Sequence, residues 1–490
     1  MRNLRTGMSL KSFFEPASIA IVGASPNIDK VGGVVANTLI TNMKRGILKA
    51  KIYPVNSKYD SIYDVPCYKS IKDIKDNIDL LIVAIPASAV PEIIREAGES
   101  GVKSAIIITS GFKEVGNVQL QDEVVNVAKQ YGIRIMGPNC LGVYDSLTGV
   151  DSLFLPEFKL LSTGKEVLAT PRPRPGSIVL ISQSGALGAA LLDYMAGINL
   201  GLRCFVSFGN RADVNESELL EYFKEDRLTK VILLYLESVS DGRLFLEAAR
   251  KTCEKKPIIA LKVGKSRSGA RGAVSHTGSL AGMDQIYQAA FEECGVIRAN
   301  TIEDLFDMGR ALLYQPPALG KNVAVLTNAG GPGIIAADAL DASGLQVVEL
   351  SEGSKKIFQD KIKEGVFPPY MSYANPVDLS AQVGSDAFRE ALNILLDDPV
   401  VNGILVITLH HTPFVMDDVV GKIAGPAFEK SKPVVAVDIG ATEMAQEIRA
   451  RFEKFRVPAF NAPERAARAL YALAYYGTFL KEKMIVQAPQ

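Results

Sequence analysis

The chain has no tryptophan, three histidines and five cysteines among its 490 residues. The cysteines (Cys67, Cys140, Cys204, Cys253 and Cys294) lie far apart, make no C-x-x-C pair and are odd in number. That usage excludes a disulfide scaffold and reads as buried, reduced thiols in a cytoplasmic protein. Net charge is missing as well, since 54 basic residues balance 54 acidic ones. A broad nucleic-acid surface or an acidic partner is thereby excluded, and only local basic loops remain. Long apolar runs are absent too. The longest, at 105–108 and 231–236, are of strand length, against the ~20 residues that a membrane helix requires. Arg2, Arg5 and Lys11 are followed by no apolar stretch of the kind a secretory leader carries.

What the chain does have is alternation. Apolar runs of strand length are followed by Gly or Ser turns and then by helical periodicity, the pattern of parallel sheets covered on both faces. The expected fold class is α/β. Two to four domains are expected at this length, and three blocks are legible. The first, 1–146, is Rossmann-like, with strands at 18–23, 51–55, 79–85, 104–109 and 133–136 and helices at 90–100 and 121–131. A connector, 147–175, ends in Pro171-Arg-Pro-Arg-Pro175, which is extended because proline disfavours helix at and before its own position. The second block, 176–316, has strands at 176–182, 204–208, 231–236 and 257–262, and the third, 320–482, at 323–327, 403–408 and 433–438. Both open alike. Val179-Leu-Ile-Ser-Gln-Ser-Gly-Ala-Leu-Gly188 lies over Ala324-Val-Leu-Thr-Asn-Ala-Gly-Gly-Pro-Gly333, one unit used twice. Ser184 becomes Ala329, so the second copy has lost a hydroxyl and reads as structural.

The first strand runs into Gly23-Ala24-Ser25. A glycine here lets a pyrophosphate approach the backbone and the next helix N-terminus; the alternative is a plain βα turn. The dinucleotide fingerprint fails because Ser25 replaces its second glycine. The second strand leads to Asn56 and Lys58, an amide and a cation where a nicotinamide cofactor wants a carboxylate. A cation there suits a nucleotide with a ribose phosphate, such as CoA. Ser182-Gln-Ser-Gly-Ala-Leu-Gly188 puts hydroxyls and free N–H groups at a helix start, either an anion pocket or an ordinary serine cap. It is no nucleophile elbow, which needs glycine at 182 and 186. Gly264-Lys-Ser266 is no P-loop, because Ile259 stands where the first glycine belongs. Glu237 follows the strand at 231–236, where α/β proteins place site residues, and a carboxylate there can orient an imidazole. His276 lies among small residues in Ser275-His-Thr-Gly278, downstream of Lys262, Lys265, Arg267 and Arg271. An accessible imidazole beside cations is suited to carrying a phosphoryl group. His410-His411 has no third ligand at metal-site spacing and reads as structural or peripheral.

Together with Ile21-Val-Gly-Ala-Ser25, Met136-Gly-Pro-Asn-Cys-Leu-Gly142 and Tyr235-Leu-Glu-Ser238, these motifs resemble the α subunit of NDP-forming acyl-CoA synthetases, the succinyl-CoA synthetase superfamily. The likeness is greatest to the ADP-forming acetyl-CoA synthetases of archaea and covers nearly the whole chain. It implies a Rossmann-like CoA-binding domain followed by two flavodoxin-like parallel-sheet domains. It also implies acid–thiol ligase chemistry through an acyl phosphate and a phosphohistidine on a mobile loop. His276 matches the phosphorylated histidine and Glu237 the glutamate that steadies it. Ser182, Ser184, Gly185 and Ala186 match the phosphate pocket. Gly23, Ala24, Ser25, Asn56, Lys58, Pro86 and Asn139 fall where the family holds CoA.

No ATP-grasp segment occurs in this sequence. The resemblance therefore implies a separate ATP-grasp β subunit that binds Mg with ADP or ATP, in an α2β2 assembly. No metal is expected in this chain. Two other readings are weighed: a non-catalytic CoA sensor with the same fold, and a nicotinamide-linked oxidoreductase, against which the broken fingerprint and Asn56 speak.

Overall fold

Parallel strands covered on both faces must be apolar throughout, and the strands at Ser18–Val22, Leu80–Val83, Ser104–Ile107 and Arg134–Met136 are buried at every residue. The structure, a computed structural model, describes residues 10–269, 271–272, 284–429 and 431–487. These four strands and Lys51–Val55 form a five-stranded parallel sheet in which Ser18–Val22 lies between Lys51–Val55 and Leu80–Val83. Its helices follow the expected periodicity. Val90–Glu99 takes a proline in its first turn, where the missing N–H is harmless, and buries Val90, Ile94 and Ala97. Val118–Tyr131 buries Val124, Val127 and Ala128 and stops at left-handed Gly132.

A second sheet has six strands, in the order Ile297–Ala299, Ile258–Lys262, Val231–Leu236, Pro175–Ser182, Leu202–Ser207 and Gly142–Asp145. The last of these runs antiparallel to Leu202–Ser207. It lies inside the block expected at 1–146, yet by pairing it belongs to the sheet of the next block. Edge strands take their partners from tertiary structure, which no local pattern encodes. The connector adds an exposed antiparallel hairpin, Phe158–Leu160 with Glu166–Leu168.

The two sheets form one compact unit, Met1–Arg298. Arg134 is buried and donates from Nε to Asp213 at 2.8 Å and from Nη2 to both oxygens of Glu218 at 2.9 and 3.0 Å. Beside it the backbone N–H groups of Asn210, Ala212 and Val214 donate to the carbonyls of Pro138, Gly137 and Ile135 at 2.9–3.0 Å.

The other compact unit is Ala299–Gln490. In its parallel sheet Asn322–Thr327 lies between Gln346–Val347 and Gly403–Ile407, followed by Val434–Val437 and Ala459–Phe460, with Val377–Asp378 beside Thr327. The helix Ile302–Tyr314, expected in the second block, packs in this unit instead. Its Ala311 shares a core with Ala466, Ala467 and Leu470 of the helix Pro463–Gln487, and its Asp307 accepts from Arg465 at 2.7 Å.

The internal repeat extends to side chains. Ser182 Oγ donates to the Ser184 carbonyl at 2.7 Å, and Thr327 Oγ1 to the Ala329 carbonyl at 2.9 Å. Gln183 Oε1 accepts from Glu237 N at 2.9 Å, and Asn328 Oδ1 from Leu409 N, also at 2.9 Å. Register places Tyr235 beside Ser182 and Ile407 beside Thr327, so Leu409 occupies the place of Glu237.

Replacing Arg134 with leucine strands two carboxylates in a half-buried site. The first unit is expected to lose about 3 kcal/mol, read as a lowered thermal midpoint. An unshifted midpoint would show that the cation does not hold the two sheets together.

Candidate active site at the strand ends of two sheets

In parallel α/β sheets the carboxyl ends of the strands leave loops free to bind ligands. In the first unit the strand ends of both sheets open on one cavity of about 1100 Å³. The first sheet contributes 84–86, 108–110 and 139–141, and the second contributes 183–186, 209–212 and 237–240.

One corner of the cavity holds a helix N-terminus. The helix Gly185–Gly197 starts there with no acidic residue in its first turn, and Ser184 caps it by accepting from Leu187 N at 3.3 Å. The first N–H groups of a helix have no acceptor within the helix and carry partial positive charge, and Ser184, Gly185 and Ala186 all line the cavity. Ser182 does not. It is fully buried and its hydroxyl is spent on the Ser184 carbonyl, so it shapes the turn and not the cavity wall.

Glu237 faces the same cavity from the end of Val231–Leu236. Gln183 Oε1 fixes its backbone by accepting from Glu237 N and, at 3.2 Å, from Ser238 N. The Tyr235 hydroxyl bonds the Glu237 carboxylate, and burial pushes the phenol's pKa well up, so it remains a donor. Arg211, with φ +47°, donates to the Ser238 carbonyl and, from Nη2, to the Ser238 hydroxyl at 2.7 Å. Glu216 pairs with Arg211 at 3.6 Å and accepts from Ser240 N at 2.8 Å. The 237–240 loop is thus clamped from three sides. Gln183 sat inside a quoted motif, but nothing in the sequence singled out Arg211 or Glu216, which act only through folding.

Lys262 pairs in register with Leu236 and is buried, which pulls its pKa below the ordinary lysine value. Its ammonium lies 4.3 Å from the Tyr287 ring centroid, and the Tyr287 hydroxyl accepts from Val239 N at 3.1 Å. Residues 273–283 separate these two anchors in the chain. His276, the expected phosphoryl carrier, lies outside the described residues.

Of the expected CoA residues, Pro86 and Asn139 line the cavity. Gly23, Ala24, Ser25, Asn56 and Lys58 gather at the first βα turn. Asn56 Nδ2 donates to the Ala24 carbonyl at 2.8 Å and its Oδ1 accepts from Lys58 N at 3.0 Å. Ser25 Oγ accepts from Asn27 N at 3.1 Å, while the Lys58 side chain stays exposed. Gly23 has φ +89°, and a Cβ there would stand 2.3 Å from the carbonyl of Ala84, a cavity residue. Steric need alone therefore demands that glycine, and the turn abuts the cavity. Cys140 lines the cavity too, but burial pushes its thiol up to about 12, so it is no nucleophile near neutral pH.

The matching corner in the second unit lacks these groups. Ala329 offers no side-chain cap, and Leu409 replaces Glu237. His410 Nδ1 lies 2.7 Å from Asp438, and its ring stacks on His411. Among the described residues no cluster suits a metal ion, and no helix is long and apolar enough to cross a membrane.

Residues 17–146 match a CoA binding domain, 175–312 a succinyl-CoA ligase like flavodoxin domain, and 323–477 a ligase-CoA domain. The chain is 39% identical over 475 residues to the acetate–CoA ligase [ADP-forming] I subunit alpha of Pyrococcus furiosus, covering 95% of this chain and 97% of that one. The chain belongs to the ADP-forming acyl-CoA synthetase family. It is 43% identical to the acetate–CoA ligase [ADP-forming] of Methanocaldococcus jannaschii over 76% of this chain and 49% of that longer one. The solved dinucleotide forming acetyl-coenzyme A synthetase 1 of Ca. Korarchaeum cryptofilum, in complex with phosphate and ADP, superposes with a TM-score of 0.87. It is 35% identical and covers 98% of this chain and 100% of that one. Family membership thus accords with the α/β architecture and with the CoA-binding block.

Ser184→Ala removes the acceptor for Leu187 N. A cap of this kind contributes about 1 kcal/mol, and affinity for inorganic phosphate, measured by calorimetry, is expected to weaken several-fold. Unchanged phosphate affinity would separate this helix from the anion.

Proposed function

We propose that this chain is the α subunit of an ADP-forming acyl-CoA synthetase. The reaction interconverts acyl-CoA, ADP and phosphate with a carboxylic acid, CoA and ATP. One observation carries the reading: CoA-block strand ends, a helix N-terminus and Glu237 meet in a single cavity.

In the direction of ATP formation, a phosphate oxygen attacks the thioester carbonyl. The carbon–sulfur bond breaks and CoA leaves as the thiolate, giving an acyl phosphate. Ser184 and the N–H groups of Gly185 and Ala186 hold the phosphate, opposing its charge in a site that does not reorganise. Gly23, Ala24, Ser25, Asn56, Lys58, Pro86 and Asn139 hold CoA, with Lys58 toward its ribose phosphate. The His276 imidazole then attacks phosphorus and releases the carboxylate. Glu237 orients the ring and balances the charge of the phosphohistidine.

In this reading the phosphoryl group passes to ADP on an ATP-grasp β subunit that also binds Mg, and the assembly is α2β2. The name of the Pyrococcus furiosus relative, a subunit alpha, supports a partner. The proposed location is the cytoplasm, in keeping with five free cysteines. Both named ligases act on acetate, and acetate is the first acid to assay.

His276→Ala is expected to abolish turnover and label transfer from acetyl phosphate while CoA still binds. Retained turnover would remove the histidine from the mechanism, and CoA binding without labelling of the unaltered chain would favour a sensor. Glu237→Gln is expected to slow single-turnover phosphorylation about 100-fold, the low end for general positioning and acid–base effects. An unchanged rate would leave Glu237 without a part in that step.

A further inference from the structure

Phe154 and Leu155 belong to the connector, to which the sequence assigns no role, yet both line the cavity. Their position is built stepwise. The edge strand Gly142–Asp145 turns at Asp145, whose Oδ1 accepts from Leu147 N and Thr148 N at 3.0 Å. The chain then returns alongside the strand. Ser152 N donates to the Val143 carbonyl at 2.9 Å, and Ser152 Oγ accepts from Val143 N at 2.8 Å. A Cβ on Gly142 would stand 2.1 Å from that hydroxyl, so only glycine lets the strap lie this close.

Arg172, from the proline-alternating run, fastens the far end. It donates from Nε to the buried Asp151 at 2.6 Å and from Nη2 to the Leu155 carbonyl at 3.1 Å. Phe154 is thus held on both sides. Ser152 Oγ also reaches the Leu141 carbonyl at 3.4 Å, and Leu141 packs on Gly185, where a Cβ would stand 3.2 Å from Leu141 Cγ. The strap therefore runs beside the residue that touches the first turn of the anion-binding helix.

The chemistry of this wall is apolar: Leu141, Phe154, Leu155 and the protonated Cys140. Two cations line the cavity among the described residues, and of these Arg211 is engaged with Ser238 and Glu216. Lys113 belongs to the turn after Ser104–Ile107. A second carboxylate pressed against these apolar side chains would lose its water there, which costs several kcal/mol unless it is paired. Resting on the ligase reading above, we infer that Phe154 and Leu155 form the end wall of the acyl subsite. They select uncharged, apolar monocarboxylic acids by size, and the Arg172–Asp151 pair is the staple that fixes the depth of the pocket.

The experiment uses the full chain with its partner subunit and measures thioester formation from acetate, 3-methylbutyrate, phenylacetate and succinate. In Phe154→Ala the kcat/KM ratio of phenylacetate to acetate is expected to rise about tenfold or more, the scale on which a pocket distinguishes small apolar groups. KM for CoA and for phosphate should stay within about twofold, and succinate should remain poor. Phe154→Leu, which keeps the packing, should move the ratio less but in the same direction. Arg172→Met should broaden selectivity similarly, with partial recovery in Arg172→Lys; a purely structural role would lower kcat for every acid alike. The inference is overturned by an unmoved ratio in both Phe154 variants. It is also overturned if CoA KM rises with the ratio unmoved, which would make the wall part of the thiol-arm channel. Wild-type enzyme inactive on all four acids removes the ligase reading and this inference with it. Wild-type activity with unmoved ratios removes the inference alone.

Discussion

Arg134 can leave water only because Asp213 and Glu218, carried by the following block, surround its guanidinium. An unpaired charge at that depth would be prohibitive. The ion pairs lie against a backbone ladder, in which Asn210, Ala212 and Val214 donate to carbonyls of 135–138. The edge strand Gly142–Asp145 adds a third tie by joining the second sheet. Two Rossmann-like layers that would otherwise be separate domains are thereby held in one unit, and the cavity exists because they are. Its walls are the strand ends of both sheets, so loss of the tie would separate the first βα turn from the helix Gly185–Gly197.

Within that frame the helix Gly185–Gly197 brings backbone N–H groups to the cavity. Gly185 and Ala186, at the first turn of that helix, line the cavity, and Ser184 caps it. Glu237 lines the same cavity, its main chain held by Gln183 and its carboxylate by Tyr235. Arg211, which faces the cavity, is tied to Ser238 and Glu216, so its charge is largely used within the protein. The duplicated block keeps the turn geometry through Thr327 and Asn328 but has alanine and leucine where chemistry would need a hydroxyl and a carboxylate.

The strands of both units were legible because a buried parallel strand must be continuously apolar, and the helices because an apolar stripe recurs at helical spacing. The paired openings at 179–188 and 324–333 disclosed the repeat, which the hydrogen bonds of Gln183 and Asn328 extend. Pro86, Asn139, Ser184, Gly185, Ala186 and Glu237 were named from motifs and line one cavity. Ser182 was named too, but its hydroxyl faces its own turn. The strand Gly142–Asp145 pairs into the second sheet and the helix Ile302–Tyr314 packs against the helix Pro463–Gln487. Each has an ordinary local pattern, and its packing partner lies more than 50 residues away.

By itself, the order of residues determined the fold class, the duplicated unit and the chemistry-bearing loops, since periodicity and turn geometry act over a few residues. Only the tertiary structure decided that the connector reaches the cavity through Phe154, and that Arg211 clamps the Glu237 loop. It also decided that Arg134 ties two sheets into one unit. Those effects depend on burial and on charges brought together from distant parts of the chain. Burial is a property of the folded whole, and no window of sequence contains it.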